Sequence, residues 1–287
     1  MVYQETINYL LPRINIKPLC AIILGTGLGK LADQVENPTE IEYPSIPGFV
    51  RSTAPSHHGT LIIGTISQTP VLVFKGRFHY YEGYSMEQVV YPVRIARLLG
   101  AKYLLVTNAA GSLNINFQPG QLVRLSDHIN MFGTNPLIGA NILTPSITIT
   151  TEKNCSPSEI NEFGERFPSL HAAYDPELAQ IANEVAHNFH ISLPSGVYCG
   201  VSGPSLETRA ECVMIKNWGA DLVGMSTVPE VITAVHCGLR VLAVSVVTNL
   251  SNIFHSAPHR QEEIRANADR ASTDLMLLIQ KFLEKIQ

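Results

Sequence analysis

The sequence predicts an α/β protein built on a largely parallel or mixed sheet, and three observations carry that expectation. Short runs rich in Val, Ile and Leu recur along the chain. Helical patterns lie between several of them. The 287 residues, 45% hydrophobic and 15% charged, are enough to bury one large core, so a single domain over 1–287 is the simplest organisation. The apolar runs are Cys20–Leu24, Leu61–Ile63, Val71–Phe74, Tyr103–Thr107, Val197–Val201, Leu222–Met225 and Val241–Thr248. Their unbroken apolar character, without polar alternation, is that of strands covered on both faces.

The helical patterns run over Ser85–Leu99, Pro176–Phe189, Thr208–Trp218 and Pro229–Cys237, with a closing helix from His259 to the end. Their limits are marked by local chemistry. Thr208 and Glu211 stand at capping-box spacing, Pro229 suits a first helical turn, and Gly219 and Gly238 suit stop positions. One irregular region, 139–162, is dominated by Thr, Ser, Pro and Asn around Ile147-Thr148-Ile149-Thr150 and reads as a long loop or small excursion.

The formal net charge of -4 offers no long-range attraction for nucleic acid or acidic membranes, so neither is expected as a partner, and any anion has to be held by a local constellation. Five scattered cysteines, Cys20, Cys155, Cys199, Cys212 and Cys237, lack metal-ligand spacing and read as buried thiols in a reducing compartment. No apolar run approaches the roughly 20 residues that span a bilayer, and a cytoplasmic location is the expectation.

Polar residues fall repeatedly where these strands end: Thr26, Arg77 and His79, Asn108, Ser202, Ser226 and Asn249. Any one of them is an ordinary turn or cap residue, but open α/β sheets bind ligands at that edge, and the repetition points there. The densest segment is Arg77-Phe78-His79-Tyr80-Tyr81-Glu82-Gly83. In an extended chain the period of two puts Arg77, His79 and Tyr81 on one face, where a guanidinium fork, an imidazole and a phenol suit an oxyanion beside a hydroxylated ring. The same residues also suit a solvated strand end. Gly25-Thr26-Gly27-Leu28-Gly29 meets neither the dinucleotide fingerprint, which wants its third glycine at Lys30, nor a Walker loop, because Leu31 follows Lys30. It remains a glycine turn whose backbone N–H groups and Thr26 hydroxyl can cradle an oxyanion.

Six blocks in order complete the pattern: Ile23–Gly29, Gly76–Gly83, Thr107–Gly111, Gly203–Thr208, Val223–Glu230 and Val247–Asn249. Together they closely resemble the trimeric purine nucleoside phosphorylases, from about Leu19 to the C-terminus. The resemblance implies a single-domain α/β fold with a central mixed β-sheet flanked by helices, a homotrimer, and reversible phosphorolysis of purine nucleosides to free base and ribose 1-phosphate. It implies no cofactor and no metal, inorganic phosphate being a co-substrate.

Carried over by position, the resemblance implies a phosphate site of Thr26, His57, Arg77, His79, the backbone N–H of Ala109, and Ser226. Ser56 stands where the family has glycine beside that histidine. The implied ribose contacts are Tyr81 and Met225, with Phe167 reaching over from a neighbouring subunit. The implied base contacts are Glu207 and Asn249, bordered by Ala110, Gly111 and Leu206. Glu207, Asn249 and His79 are the implied catalytic groups. Glu207 precedes the helix opened by Thr208, whose positive end favours an ionised carboxylate. Glu82 is expected to orient the phosphate-site histidines.

Three departures bear on substrate. Thr26 replaces the commoner serine, Leu206 stands where an aromatic often stacks on the base, and Gln261 occupies the place of the histidine that meets the ribose 5′-hydroxyl, with His255 and His259 nearby. Gln261 or His259 is therefore the expected 5′ contact. Asn249 rather than an aspartate favours 6-oxopurines such as inosine and guanosine; xanthosine- or methylthioadenosine-preferring relatives and a non-catalytic nucleoside-binding module are the alternatives. A hydrolase would call for an acidic metal cluster, which the sequence lacks.

Overall fold

The computed structural model describes residues 3–53, 59–141, 163–255, 257 and 260–287, the Gln261 side chain excepted. Its strands are β1 (Cys20–Ile23), β2 (Glu36–Glu42), β3 (Thr60–Ile66), β4 (Thr69–Lys75), β5 (Tyr103–Ser112), β6 (Leu122–Met131), β7 (Ser195–Val201), β8 (Leu222–Gly224) and β9 (Arg240–Leu250). The α-helices are α1 (Tyr3–Leu10), α2 (Met86–Val89), α3 (Tyr91–Leu98), α4 (Pro176–Asn188), α5 (Arg209–Asn217), α6 (Val228–His236) and α7 (Gln261–Lys285).

All nine strands join one sheet in the order β2-β3-β4-β1-β5-β8-β7-β6-β9, and β9 also pairs with β5. The second pairing closes β5, β8, β7, β6 and β9 into a ring, so one half of the sheet is open and the other barrel-like. The sheet is mixed: β1 runs parallel to β4 and β5, β5 to β9, and β7 to β6 and β8, whereas β2/β3, β3/β4, β5/β8 and β6/β9 are antiparallel.

Strand alternation distributes the core between the two faces. Ala21 and Ile23 of β1, with Leu72 and Phe74 of β4 and Leu104 and Val106 of β5, pack among residues of α1, α3 and α6. Their neighbours Cys20 and Ile22, Val71 and Val73, and Leu105 pack against α4 and α7, through Leu178, Ala182, Leu275, Ile279 and Phe282 among others. Each fully buried aliphatic or aromatic side chain of this kind contributes about 1.5–3 kcal/mol, which is why the apolar runs become strands despite their shortness.

The elements foreseen from the sequence are present, with adjustments that have local causes. The Ser85–Leu99 pattern splits into α2 and α3, with Ser85 capping the first through its hydroxyl and Pro92 in the first turn of the second. Thr208 caps α5 by accepting from the Glu211 N–H at 3.2 Å, and Glu211 accepts in turn from the Thr208 N–H at 2.7 Å. Strand β5 runs on to Ser112, so Asn108 and Ala109 lie within it rather than beyond it. Strands β2 and β6 and helix α1 were not foreseen. In α1, Tyr3, Thr6, Ile7 and Leu10 form the buried stripe.

Residues 142–162 of the expected excursion lie outside the described residues, as does Cys155. The other four cysteines are buried and free. Among the described residues no helix is long and apolar enough to cross a membrane.

Candidate active site

A cleft of about 190 Å³ opens where β1, β4, β5, β8 and β9 end, lined at one end by Thr26, Arg77, His79, Ala109 and Ser226 and at the other by Ala110, Gly111, Leu206, Glu207 and Asn249. The strands bring these residues together because of how closely they approach. Gly25, directly after β1, lies so near β5 that an added Cβ would stand 2.7 Å from Asn108 Cα and 2.8 Å from the Thr107 carbonyl oxygen. The Gly25 N–H donates to Thr107 Oγ1 at 3.1 Å, and that hydroxyl donates to the Ile23 carbonyl at 3.2 Å, which fixes Thr26 at the cleft mouth.

The anion end is organised around Arg77, only 3% exposed. Its Nε donates to Glu230 Oε1 at 3.0 Å and its Nη1 to Ser226 Oγ at 2.9 Å. Ser226 follows β8, and its N–H donates to the buried Tyr198 hydroxyl at 3.4 Å. The next residue, Thr227, has φ 71° and ψ -54°, and the Val228 N–H donates to the Ser226 carbonyl at 2.7 Å. That is a γ-turn with positive φ, a conformation costing about 1–3 kcal/mol for a β-branched residue, which the surroundings must hold in place. They do so through the Thr227 N–H donating to Glu230 Oε2 at 2.6 Å and the Asn108 Nδ2 donating to Thr227 Oγ1 at 2.9 Å.

His79 and Tyr81 enter the cleft by a different geometry from the one expected. After β4 ends at Lys75, the chain tightens into a 3-10 turn over Tyr80–Glu82 instead of staying extended. The two-residue period is lost, yet the rings of His79 and Tyr81 stack with centroids 4.7 Å apart. Glu82 closes the turn: its Oε1 accepts from the His79 N–H at 2.8 Å and pairs with His79 Nδ1 at 3.0 Å, while its Oε2 accepts from the Thr53 N–H at 2.7 Å and from the Thr53 hydroxyl. Burial alone would raise the Glu82 carboxyl, but these hydrogen bonds hold it down at about 2. Burial and the Arg77 charge lower His79 despite Glu82, so its ring is neutral. A neutral ring that donates from Nδ1 to Glu82 has its acceptor at Nε2. Burial, with Glu82 adding to it, pushes the Tyr81 phenol up to about 12.

The other end rests on a bulge. The β5/β9 register shifts between Ala110, opposite Val247, and Gly111, opposite Asn249, so Thr248 is the extra residue. Bulges re-aim side chains, and this one turns Asn249 into the cleft beside Gly111, where an added Cβ would be 3.3 Å from Asn249 Nδ2. Thr248 Oγ1 donates to Asn249 Oδ1 at 2.9 Å, and Asn249 Nδ2 donates to the Leu250 carbonyl at 3.3 Å. The Glu207 backbone is held by Asn252, whose Nδ2 donates to its carbonyl at 2.6 Å. Cys212, Val223, Met225 and Ile264 supply apolar wall between the polar groups.

The sequence-derived residues Thr26, Arg77, His79, Tyr81, Ala109, Ala110, Gly111, Leu206, Glu207, Met225, Ser226 and Asn249 all border this one cleft. His57 and His259 lie outside the described residues, and Gln261 is placed only as the first residue of α7. Phe167 is 85% exposed and away from its own cleft. Asn108 stands behind the cleft as a strut for Thr227, and Ser202 does not line it. One electrostatic expectation is corrected: the helix terminus does not offset burial at Glu207, whose pKa is raised by burial with a further push from Glu211.

Sequence reasoning passed over Tyr198, Glu230 and Asn252. The Thr227–Glu230 spacing at the head of α6 is a capping-box signal for the second of these; Tyr198 and Asn252 bond residues 28 and 45 positions away and leave no local mark. Among the described residues no group of His, Cys, Asp and Glu could hold a metal ion.

Comparison with known proteins agrees with this arrangement. The model of the Phosphorylase superfamily matches residues 20–284. Purine nucleoside phosphorylase 1 of Bacillus subtilis is 42% identical over 94% of this chain and 93% of its own, and purine nucleoside phosphorylase of Bos taurus is 42% identical over 86% and 81%. The crystal structure of Schistosoma mansoni purine nucleoside phosphorylase in complex with inosine superposes with a TM-score of 0.86 at 39% identity, covering 99% of this chain and 95% of that one. A mixed sheet closed at one end, a cleft carrying oxyanion donors opposite a carboxylate and an amide, and these similarities make the chain a member of the phosphorylase superfamily, among its purine nucleoside phosphorylases.

Proposed function

We propose that the enzyme cleaves 6-oxopurine nucleosides such as inosine and guanosine with inorganic phosphate, yielding free purine and ribose 1-phosphate. The observation that supports this reading is the polarity of this cleft. Arg77, Ser226, Thr26 and His79 gather at one end, and Glu207 and Asn249 at the other, with Tyr81 and Met225 bordering the space between.

Phosphate would lie against the Arg77 guanidinium, the hydroxyls of Thr26 and Ser226 and the Ala109 N–H, with His57 as a further donor. A fork plus neutral donors orients an oxyanion better than a point charge does. The neutral His79 offers an acceptor, which suits the one protonated oxygen of a hydrogen phosphate dianion. The nucleophilic oxygen then bonds to C1′ as the bond from C1′ to N9 breaks, and the electron pair passes to the purine. The proton that leaves hydrogen phosphate balances the one gained at the purine imidazole. Charge on the departing base is met by Asn249 and by the proton gained at the imidazole, while Glu207 orients the base by accepting from the ring N–H. The Asn249 contact strengthens as the bond lengthens, and so lowers the barrier.

Two further features belong to the proposal. Ile264, in the first turn of α7, lines the cleft, and Gln261 lies three residues earlier on the same helix, where i and i+3 share a face. Gln261 or His259 is the proposed contact to the ribose 5′-hydroxyl. Phe167 is exposed, with the Arg166 guanidinium 5.4 Å from its ring centroid, as suits a side chain that covers the site of a neighbouring subunit in a homotrimer. No cofactor enters this scheme.

Purine release from inosine, followed with and without phosphate, tests the proposal. Release that requires phosphate is the expected result; release in its absence would make the protein a hydrolase, and binding without release would make it a nucleoside-binding module.

A further inference from the structure

The buried carboxylate of Glu230 has no place in the reaction scheme, yet it is held at both oxygens. It is 3% exposed, and each of its oxygens is used: Oε1 accepts from Arg77 Nε and Oε2 from the Thr227 N–H. The two donors belong to different parts of the anion end. Arg77 is the guanidinium itself, and Thr227 is the centre of the γ-turn that presents Ser226. Placing a carboxylate beside a site for a dianion is, by Coulomb's law, unfavourable to binding. Its presence needs a compensating geometric role.

We propose that Glu230 is a positioning residue for the oxyanion: a single carboxylate sets the plane of the Arg77 guanidinium and the turn at Thr227 together, so that the Arg77 fork and the Ser226 hydroxyl face the same point. Gripping Nε fixes the rotation of the guanidinium about its stem, while Nη1 is aligned on Ser226 Oγ at 2.9 Å. The Ser226 hydroxyl is in turn aligned by a backbone that Glu230 keeps at positive φ. The inference rests on the assignment of this end of the cleft to phosphate.

For Glu230→Gln the charge and geometry accounts predict opposite signs, and for Glu230→Asp only the geometry account predicts a loss. Glu230→Gln keeps the shape and removes the charge, but its amide nitrogen cannot accept from either donor. Glu230→Asp keeps the charge and withdraws the carboxylate by one methylene, so it cannot reach both donors. Inorganic phosphate and, separately, hypoxanthine are titrated calorimetrically into the wild-type protein and both variants, with folding checked by near-ultraviolet circular dichroism. Phosphate affinity is expected to fall at least about tenfold in either variant, with hypoxanthine affinity within about twofold of wild type. Unchanged or tighter phosphate binding in a folded variant would overturn the inference, and so would loss of the fold in both, which would assign Glu230 to stability. Wild-type protein that fails to bind phosphate defeats the underlying assignment as well; wild-type and variant proteins that bind equally defeat only the role of Glu230.

Discussion

Asn249 is held in place by the protein itself, its Oδ1 accepting from Thr248 and its Nδ2 donating to the Leu250 carbonyl. These bonds fix the orientation of the amide and leave its second Nδ2 hydrogen and second Oδ1 lone pair for the base. The contact to the base strengthens when the imidazole ring becomes electron-rich. Asn249→Ala is accordingly expected to lower kcat by about 100-fold or more, while the KM for inosine changes by less than about threefold. Steady-state kinetics on the two proteins checks this, and a variant with wild-type turnover would remove Asn249 from the mechanism. Glu207 works differently. Its pKa is raised by burial, so it loses its charge at a higher pH than an exposed glutamate would, and base recognition should weaken on the acid side through this residue before Glu82 is affected.

At the scale of elements, the site depends on two close approaches of strands. The end of β1 meets β5 with no space for a side chain at position 25, because the atoms in the way, Asn108 Cα and the Thr107 carbonyl oxygen, are backbone and cannot swing aside. Gly25→Ala must part the two strands, displacing Thr26 and the Asn108 strut under Thr227 at once. Urea unfolding should show a loss of about 1–3 kcal/mol, the usual cost of overpacking, together with a raised KM for phosphate. A variant as stable and as active as wild type would mean that the strands yield there without consequence. The same elements explain what the sequence could and could not reveal. The strands covered on both faces announce themselves as apolar runs, whereas β2 has only Ile41 buried, and β6 carries Arg124, Ser126, Asp127 and His128 on its partly exposed length. Neither has a pattern to read. The convergence of Arg77, His79 and Tyr81 was legible in their chemistry but not in their geometry. The turn that brings them together is closed by Glu82, with Thr53 as its second anchor, and Thr53 is 29 residues away in the chain. The β5/β9 bulge, which aims Asn249, is a matter of register between strands and has no signature in either one alone.

For the whole molecule, two buried groups set separate acid limits on stability. His236, at the end of α6, is 3% exposed; its Nδ1 lies 3.3 Å from Arg94 Nη1 and its Nε2 3.1 Å from Asn141 Oδ1. Arginine can only donate and the amide oxygen can only accept, so the ring is neutral with its hydrogen on Nε2. A second proton would point at the Arg94 guanidinium. Burial first, then the Arg94 and Arg166 charges, bring the pKa down from 6.5 to about 4. In the unfolded chain this histidine takes up its proton near 6.5, so between there and about pH 4 the unfolded state binds more protons, and stability falls as pH falls, by at most about 1.4 kcal/mol per pH unit. Glu82 acts lower: its contribution is present above 4.5 and is lost as the pH drops toward about 2. His79 and His128, both lowered chiefly by burial, slope in the same direction as His236. His236→Gln, which can still donate to Asn141, should therefore flatten the stability profile between pH 6.5 and 4 by about one proton's worth while leaving the limb below pH 4 unchanged. Denaturant unfolding of both proteins across pH 3 to 8 measures this directly. Parallel profiles through the upper window would show that His236 titrates normally in the folded protein and that the Arg94 contact does not hold it neutral.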